Sequence, residues 1–262
     1  NIFVKERSLF FMRSKTELIE FAKQKFSVFS KFDRQYYSTY WMNEEEEDYE
    51  DAYEGLYSIL DNVDWIAHGV TKLVIAFKDE PDYVFKIPFR GGKMVDWQED
   101  PCDYVDEDYT YLYSHANKYE EESLCNWDYC QVEEYVYNQS VEWEVEDLFA
   151  NTFFLMQDWG FTGCPFRIYA SQKIEEPGFY EINKATSDKS RKEASNICKR
   201  SNEYRISDRM FVEDYGYGVA SQFFDFIAAL DVRDLHGDNL GFDSNNNVKV
   251  LDYSSFNLED LC

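Results

Sequence analysis

Four polar residues stand in an order that suits metal-assisted phosphoryl transfer: Lys86, Asp234, Asn239 and Asp252. Asp234 and Asn239 lie in the segment Val232-Arg233-Asp234-Leu235-His236-Gly237-Asp238-Asn239. An Asp in such a loop orients or deprotonates an acceptor hydroxyl, and an Asn on the following turn holds a metal ion that bridges nucleotide phosphates. Asp252 opens Asp252-Tyr253-Ser254, the place for a second metal ligand, and Lys86 in Val84-Phe85-Lys86-Ile87 is the ammonium that pairs with phosphate. The expected roles are therefore catalytic for Asp234 and Lys86 and Mg²⁺-ligating for Asn239 and Asp252, with ATP as the nucleotide. Gly69, Val70, Thr71 and Lys72, between two strand-like runs, form the loop expected to cover the phosphates, although it has one glycine where G-x-G-x-x-G has three. The carboxylate that orients Lys86 is expected on the next helix, with Glu134 preferred to the neighbouring Glu133.

The elements that must position these residues are legible to different degrees. Ser14-Lys15-Thr16-Glu17 has the spacing of a capping box and predicts a helix start, and a second helix is expected from Glu44 to Leu60. Runs rich in β-branched and aromatic residues from Trp65 to Phe77 and from Tyr83 to Phe89 predict strands, joined by a turn over Lys78-Asp79-Glu80-Pro81-Asp82. Residues 96 to 125, rich in Tyr and acids, read as an irregular insertion, 126 to 149 as helical, and Phe166 to Gln172 as a strand. Val219 to Leu230 reads as a helix, and Leu240-Gly241-Phe242 and Val248 to Leu251 as two strands around an Asn-rich turn that would bring Asn239 and Asp252 together. The expected division is a helical extension over 1–62, a β-rich unit over 63–174 and a smaller helical unit with the catalytic loop over 175–262.

Composition sets the partners. With 52 acidic and 26 basic residues the formal charge is −26, which repels nucleic acid and anionic membrane over most of the surface, so neither is expected as a partner. A phosphate ligand then needs a metal ion and a locally basic pocket. Aromatic residues make up 19% of the chain, enough to build a core despite the acidity. The six cysteines include no C-x-x-C pair and the three histidines are far apart, so a zinc site is not expected. Neither a signal peptide nor an apolar run of about 18 residues is evident, which points to a cytoplasmic setting in a bacterial or host cell. The one basic stretch, residues 183 to 209, reads as a surface helix or as a docking site for an acidic acceptor protein.

Taken together, Gly69-Val70-Thr71-Lys72, Phe85-Lys86-Ile87-Pro88-Phe89, Asp234-Leu235-His236-Gly237-Asp238-Asn239 and Leu251-Asp252-Tyr253 resemble the small kinase-like proteins of phages and prophages over about residues 65 to 256. The resemblance implies an α+β, protein-kinase-like two-lobed fold with a β-rich N-lobe, a reduced helical C-lobe and a helical N-terminal extension. It also implies an ATP- and Mg²⁺-dependent serine/threonine protein kinase acting on a host protein. Asp-x-His-x-x-Asn, with His236 where protein kinases usually carry Lys, also resembles small-molecule phosphotransferases, so a small-molecule acceptor stands as an alternative; AMP transfer, with the nucleotide bound in reverse, and an acidic pseudokinase that acts through its charge are the others. The sequence has Val232 in place of the usual His and shows no A-P-E segment after Asp252, so activation-loop control is not expected and docking must use other surfaces.

Overall fold

The structure, a computed structural model, describes residues 13–28, 56–68, 72–88, 129–159, 165–174, 185–198, 208–230 and 237–253. The described part is α+β. It contains helix α1 (Lys15–Phe26), strands β1 (Val63–His68), β2 (Lys72–Phe77) and β3 (Glu80–Pro88), helix α2 (Tyr129–Glu142), and strands β4 (Thr152–Trp159) and β5 (Pro165–Gln172). Helices α3 (Asp188–Cys198) and α4 (Asp208–Ala229) and the short strands β6 (Leu240–Phe242) and β7 (Val248–Val250) follow. The first five strands form one antiparallel sheet in the order β1-β2-β3-β5-β4, and β6 and β7 form a separate hairpin.

Alternation along the strands gives the sheet two faces of different chemistry. Leu73, Ile75 and Phe77 on β2, Tyr83, Phe85 and Ile87 on β3, and Ile168 and Ala170 on β5 point into one apolar core. The residues between them, including Lys72, Lys86 and Ser171, belong to the opposite face.

Helix α1 covers the apolar face. Its start is the expected capping box: the Glu17 amide donates to Ser14 Oγ at 3.3 Å and the Ser14 amide to Glu17 Oε2 at 2.8 Å. Leu18, Phe21, Ala22 and Phe26 recur at helical spacing and are buried, with Phe21 stacked on Phe85 at 5.5 Å and Phe26 edge-on to Phe77 at 5.8 Å. Lys25 reaches Asp79 at 2.8 Å and the Asp61 carbonyl at 3.0 Å, and Arg13 meets Glu80 at 2.7 Å. This helix is thus part of the sheet's own core and not an appendage to it. Only residues 56–60 of the second expected helix are described; 56–59 are helical and Leu60 is a bend. The insertion 96–125 lies outside the described residues.

A second core lies on the other side of α2. It gathers Val132 and Val136 from α2, Leu148 and Phe149 after it, Ala194 and Ile197 from α3, a run of phenylalanines from α4, Leu240, Val248 and Val250 from the hairpin, and Tyr253. Packing therefore groups α2 and residues 145–149 with the C-terminal elements, and a boundary at 174 does not follow the cores. Three further differences from the sequence expectation are local. The β2–β3 turn is only Lys78-Asp79, because a register shift at Ala76/Phe77 lets Glu80 pair with Phe77 and takes Pro81 and Asp82 into β3. The strand β4 was not anticipated. Helix α4 begins at Asp208 and bends at Gly216, which adopts φ 82°, ψ 162°. The β6–β7 hairpin matches its expected position, with Asp243 Oδ1 accepting from the amides of Asn245 at 2.8 Å and Asn247 at 3.0 Å across the turn. Among the described residues no helix is long and apolar enough to cross a membrane.

Candidate functional site

The polar face of the sheet meets α2 at a cluster of four charged side chains, of which Lys72, Lys86 and Glu133 are buried and Asp252 lies at the rim. Lys86, on β3, sits 5% exposed because the strand is covered on both faces. Its Nζ donates to Glu133 Oε2 at 2.6 Å and to the carbonyl of Leu251 at 3.0 Å. Glu133 is fully buried, and its phase on α2 is set by Val132 and Val136, which face the second core and turn the intervening carboxylate toward the sheet. The Thr152 hydroxyl, at the start of β4, donates to the same Oε2 at 3.0 Å and lies 2.9 Å from Ser171 Oγ. This is a charge-assisted pair with its carboxylate held from a second direction.

Glu134 is not the partner of Lys86, contrary to the sequence expectation. Its Oε1 accepts from the Phe154 amide at 2.9 Å and so fixes α2 along β4. Adjacent helical residues point about 100° apart, so only one of the two can face Lys86.

Lys72, the first residue of β2, contributes a second buried ammonium. It lies 2.9 Å from Glu133 Oε1 and 2.9 Å from Asp252 Oδ2. Burial by itself pushes the Lys72 amine down, but Asp252, Glu133 and then Cys130 outweigh it, and the amine is held charged, well above the ordinary lysine range. One carboxylate thus serves two lysines from neighbouring strands, and a second carboxylate at the rim completes the balance of two cations and two anions.

Asp252 is placed by what flanks it. Ahead of it, the Leu251 amide donates to the Asn239 carbonyl at 2.7 Å, which ties the segments of both expected metal ligands together across the β6–β7 hairpin. Behind it, Tyr253 is fully buried, its hydroxyl donates to the Ala150 carbonyl at 2.6 Å, and its ring meets Phe149 edge-on at 5.0 Å. Burial pushes the Tyr253 phenol well up, so it stays protonated and keeps donating. Between these anchors the Asp252 side chain remains 36% exposed, open to a ligand from the rim. Asn239 is 8% exposed on a single 3₁₀ turn.

The structure therefore brings together the side chains of Lys72, Lys86, Glu133 and Asp252 and sets the backbone of Asn239 against Leu251 beside them. Asp234, Gly69, Val70 and Thr71 lie outside the described residues. Sequence reasoning named Glu133 only as the alternative to Glu134, and it missed Thr152 and Ser171, which support it. The alternation of β4 and β5 would have put those two hydroxyls on the Lys86 face once both strands were recognised. A groove of about 920 Å³ lies at the opposite end of the strands, lined in part by Asp64, Trp65, Asp82 and Lys173, and contains none of the four charged residues of the cluster.

An Mg²⁺ site can be tested on the donors present. Asn239 and Asp252 offer oxygen ligands of the type Mg²⁺ takes, and such an ion completes its shell with water and substrate phosphates and needs no all-protein cage. Among the described residues no cluster of three or more His, Cys, Asp or Glu side chains forms such a cage. No protein-family model, curated protein or solved structure matches the chain.

Proposed function

We propose that this protein is an ATP- and Mg²⁺-dependent phosphotransferase, a serine/threonine protein kinase of phage or bacterial type that acts on host proteins. The observation that carries the reading is the buried Lys86–Glu133 pair at 2.6 Å, with its lysine on the third strand of an antiparallel sheet and its carboxylate on the helix that follows. In protein kinases a Lys on the third strand and a Glu on the next helix form the ion pair that positions the nucleotide. The protein-kinase-like two-lobed fold belongs to this proposal. Its supports are the pair, the separate cores on either side of α2, and the β6–β7 hairpin between Asn239 and Asp252.

The roles follow from the donors. Lys86 spends two of its three N–H groups on Glu133 and Leu251 and offers the third to the α- and β-phosphates. Asn239 and Asp252 hold Mg²⁺, which when bound supplies the positive charge that a triphosphate needs in so acidic a protein. Asp234 orients the acceptor hydroxyl. The protein hydroxyl as acceptor rests on the resemblance in sequence.

The experiment is incubation with ATP labelled at the γ- or the α-phosphate together with a cell lysate, followed by mass spectrometry of the labelled products. Label from the γ-position on Ser or Thr of a protein is the expected result. Transfer of α-label indicates AMP transfer, label on a metabolite indicates a small-molecule kinase, and no transfer from a protein that folds overturns the enzymatic reading.

A further inference from the structure

Lys72 occupies an unusual position for a residue expected to help cover phosphates. Its ammonium is 5% exposed and contacts two carboxylates of different standing. Asp252 Oδ2 lies at 2.9 Å on the rim, whereas Glu133 Oε1, also at 2.9 Å, is fully buried and accepts no aligned hydrogen bond. A buried carboxylate oxygen without such a bond is costly, and it is an acceptor ready for a donor that rotates toward it. The ammonium therefore bridges the expected metal ligand and the carboxylate that orients Lys86, 2.9 Å from an oxygen of each.

We infer that Lys72 is a resident counter-cation of Asp252, holding the place of Mg²⁺ until nucleotide binds and then giving up Asp252 for the phosphates while it keeps Glu133 Oε1. The inference rests on the phosphotransfer reading and extends it, because it makes nucleotide and metal binding interdependent through one side chain. With Lys72 on Asp252, the charges of the empty cluster are balanced and the carboxylate is not left bare at the rim. Metal alone must compete with a neighbouring ammonium, whereas metal arriving with a triphosphate provides Lys72 with new anionic partners. Lys72 thereby acts as a positioning residue that disfavours metal without nucleotide.

The test is calorimetry on the full chain, with Mg²⁺ alone and, separately, with ATP in the presence of EDTA, in wild type, Lys72→Met and Lys72→Arg. Lys72→Met is expected to bind Mg²⁺ alone about tenfold more tightly and metal-free ATP about tenfold more weakly, the loss of one charged contact. Lys72→Arg retains the charge and is expected to stay within about threefold of wild type on both. A lysine that only supports the fold would shift both affinities the same way or neither, and that result overturns the inference. In unaltered protein, amine-directed labelling read by mass spectrometry gives an answer even where Lys72→Met does not fold. Lys72 labelling should rise when Mg²⁺ is added alone and fall again with Mg²⁺ and ATP, and labelling indifferent to Mg²⁺ counts against the inference. Wild-type protein that binds no ATP with or without Mg²⁺ removes the phosphotransfer reading and this inference together. Wild-type binding with the wrong response to Lys72→Met removes the inference alone.

Discussion

Glu133 is the residue on which the cluster depends, since it neutralises Lys86 directly, shares Lys72 with Asp252 and is fixed by the Thr152 hydroxyl. Removing its charge leaves two buried ammonium groups with Asp252 as their only remaining carboxylate in the cluster. Breaking a buried pair in this way costs about 3–5 kcal/mol, whereas removing a charge from a partly buried carboxylate that accepts one amide costs about 1 kcal/mol. Glu133→Gln should therefore lower the urea midpoint strongly and reduce ATP turnover, while Glu134→Gln, whose amide oxygen can still accept from Phe154, should change both little. Equal effects of the two substitutions would show that the pairing is misassigned. The sequence placed Lys86 because a lysine inside a β-branched, aromatic strand is conspicuous. It did not separate Glu133 from Glu134, because their difference is a helical phase set by Val132 and Val136 against a core that forms only in three dimensions.

Among the elements, α4 shows how a local conformation is decided by one residue. Gly216 has φ 82° and ψ 162°, a region open essentially to glycine, while Gly218 has no positive φ, and a Cβ at either position would meet nothing within 4 Å. Backbone preference alone then separates them. Gly216→Ala should destabilise by about 1–3 kcal/mol, and Gly218→Ala, in ordinary helix, should stabilise by about 0.5–1 kcal/mol. Urea unfolding of the two variants checks this, and similar values for both would mean that α4 runs straight through Gly216. The bend explains why only Val219 onward was legible as helix: the period changes phase across the kink. Strand β4 was missed for a related reason. Its sequence, Thr152-Phe153-Phe154-Leu155-Met156, lacks strict alternation, carries a register shift between Phe154 and Met156, and follows directly on a helical run. By contrast the β6–β7 hairpin and the start of α1 were legible because their signals, an Asx-type turn and a capping box, are local.

For the whole molecule, the central problem that the proposal raises is how a chain of net charge −26 would hold a polyanion. Two buried lysines from adjacent strands, both aimed at α2, are offset by Glu133 and Asp252, so on the proposed reading a triphosphate would need an added divalent ion, for which Asp252 and Asn239 carry oxygen donors. The basic stretch expected to dock an acceptor contains helix α3, whose Ala194 and Ile197 are buried while Lys189, Arg191 and Lys192 are exposed, so the charges are accessible on a fixed support. The most direct measurement of the account is the affinity for ATP by calorimetry, with Mg²⁺ and with EDTA, in wild type and in Lys86→Ala. Mg²⁺ should tighten ATP binding to wild type by about tenfold or more, and Lys86→Ala should weaken Mg²⁺-ATP binding by about tenfold, as loss of a charged phosphate contact requires. Equal affinity with and without Mg²⁺, or full affinity in Lys86→Ala, would contradict the assignment of this cluster as a nucleotide site.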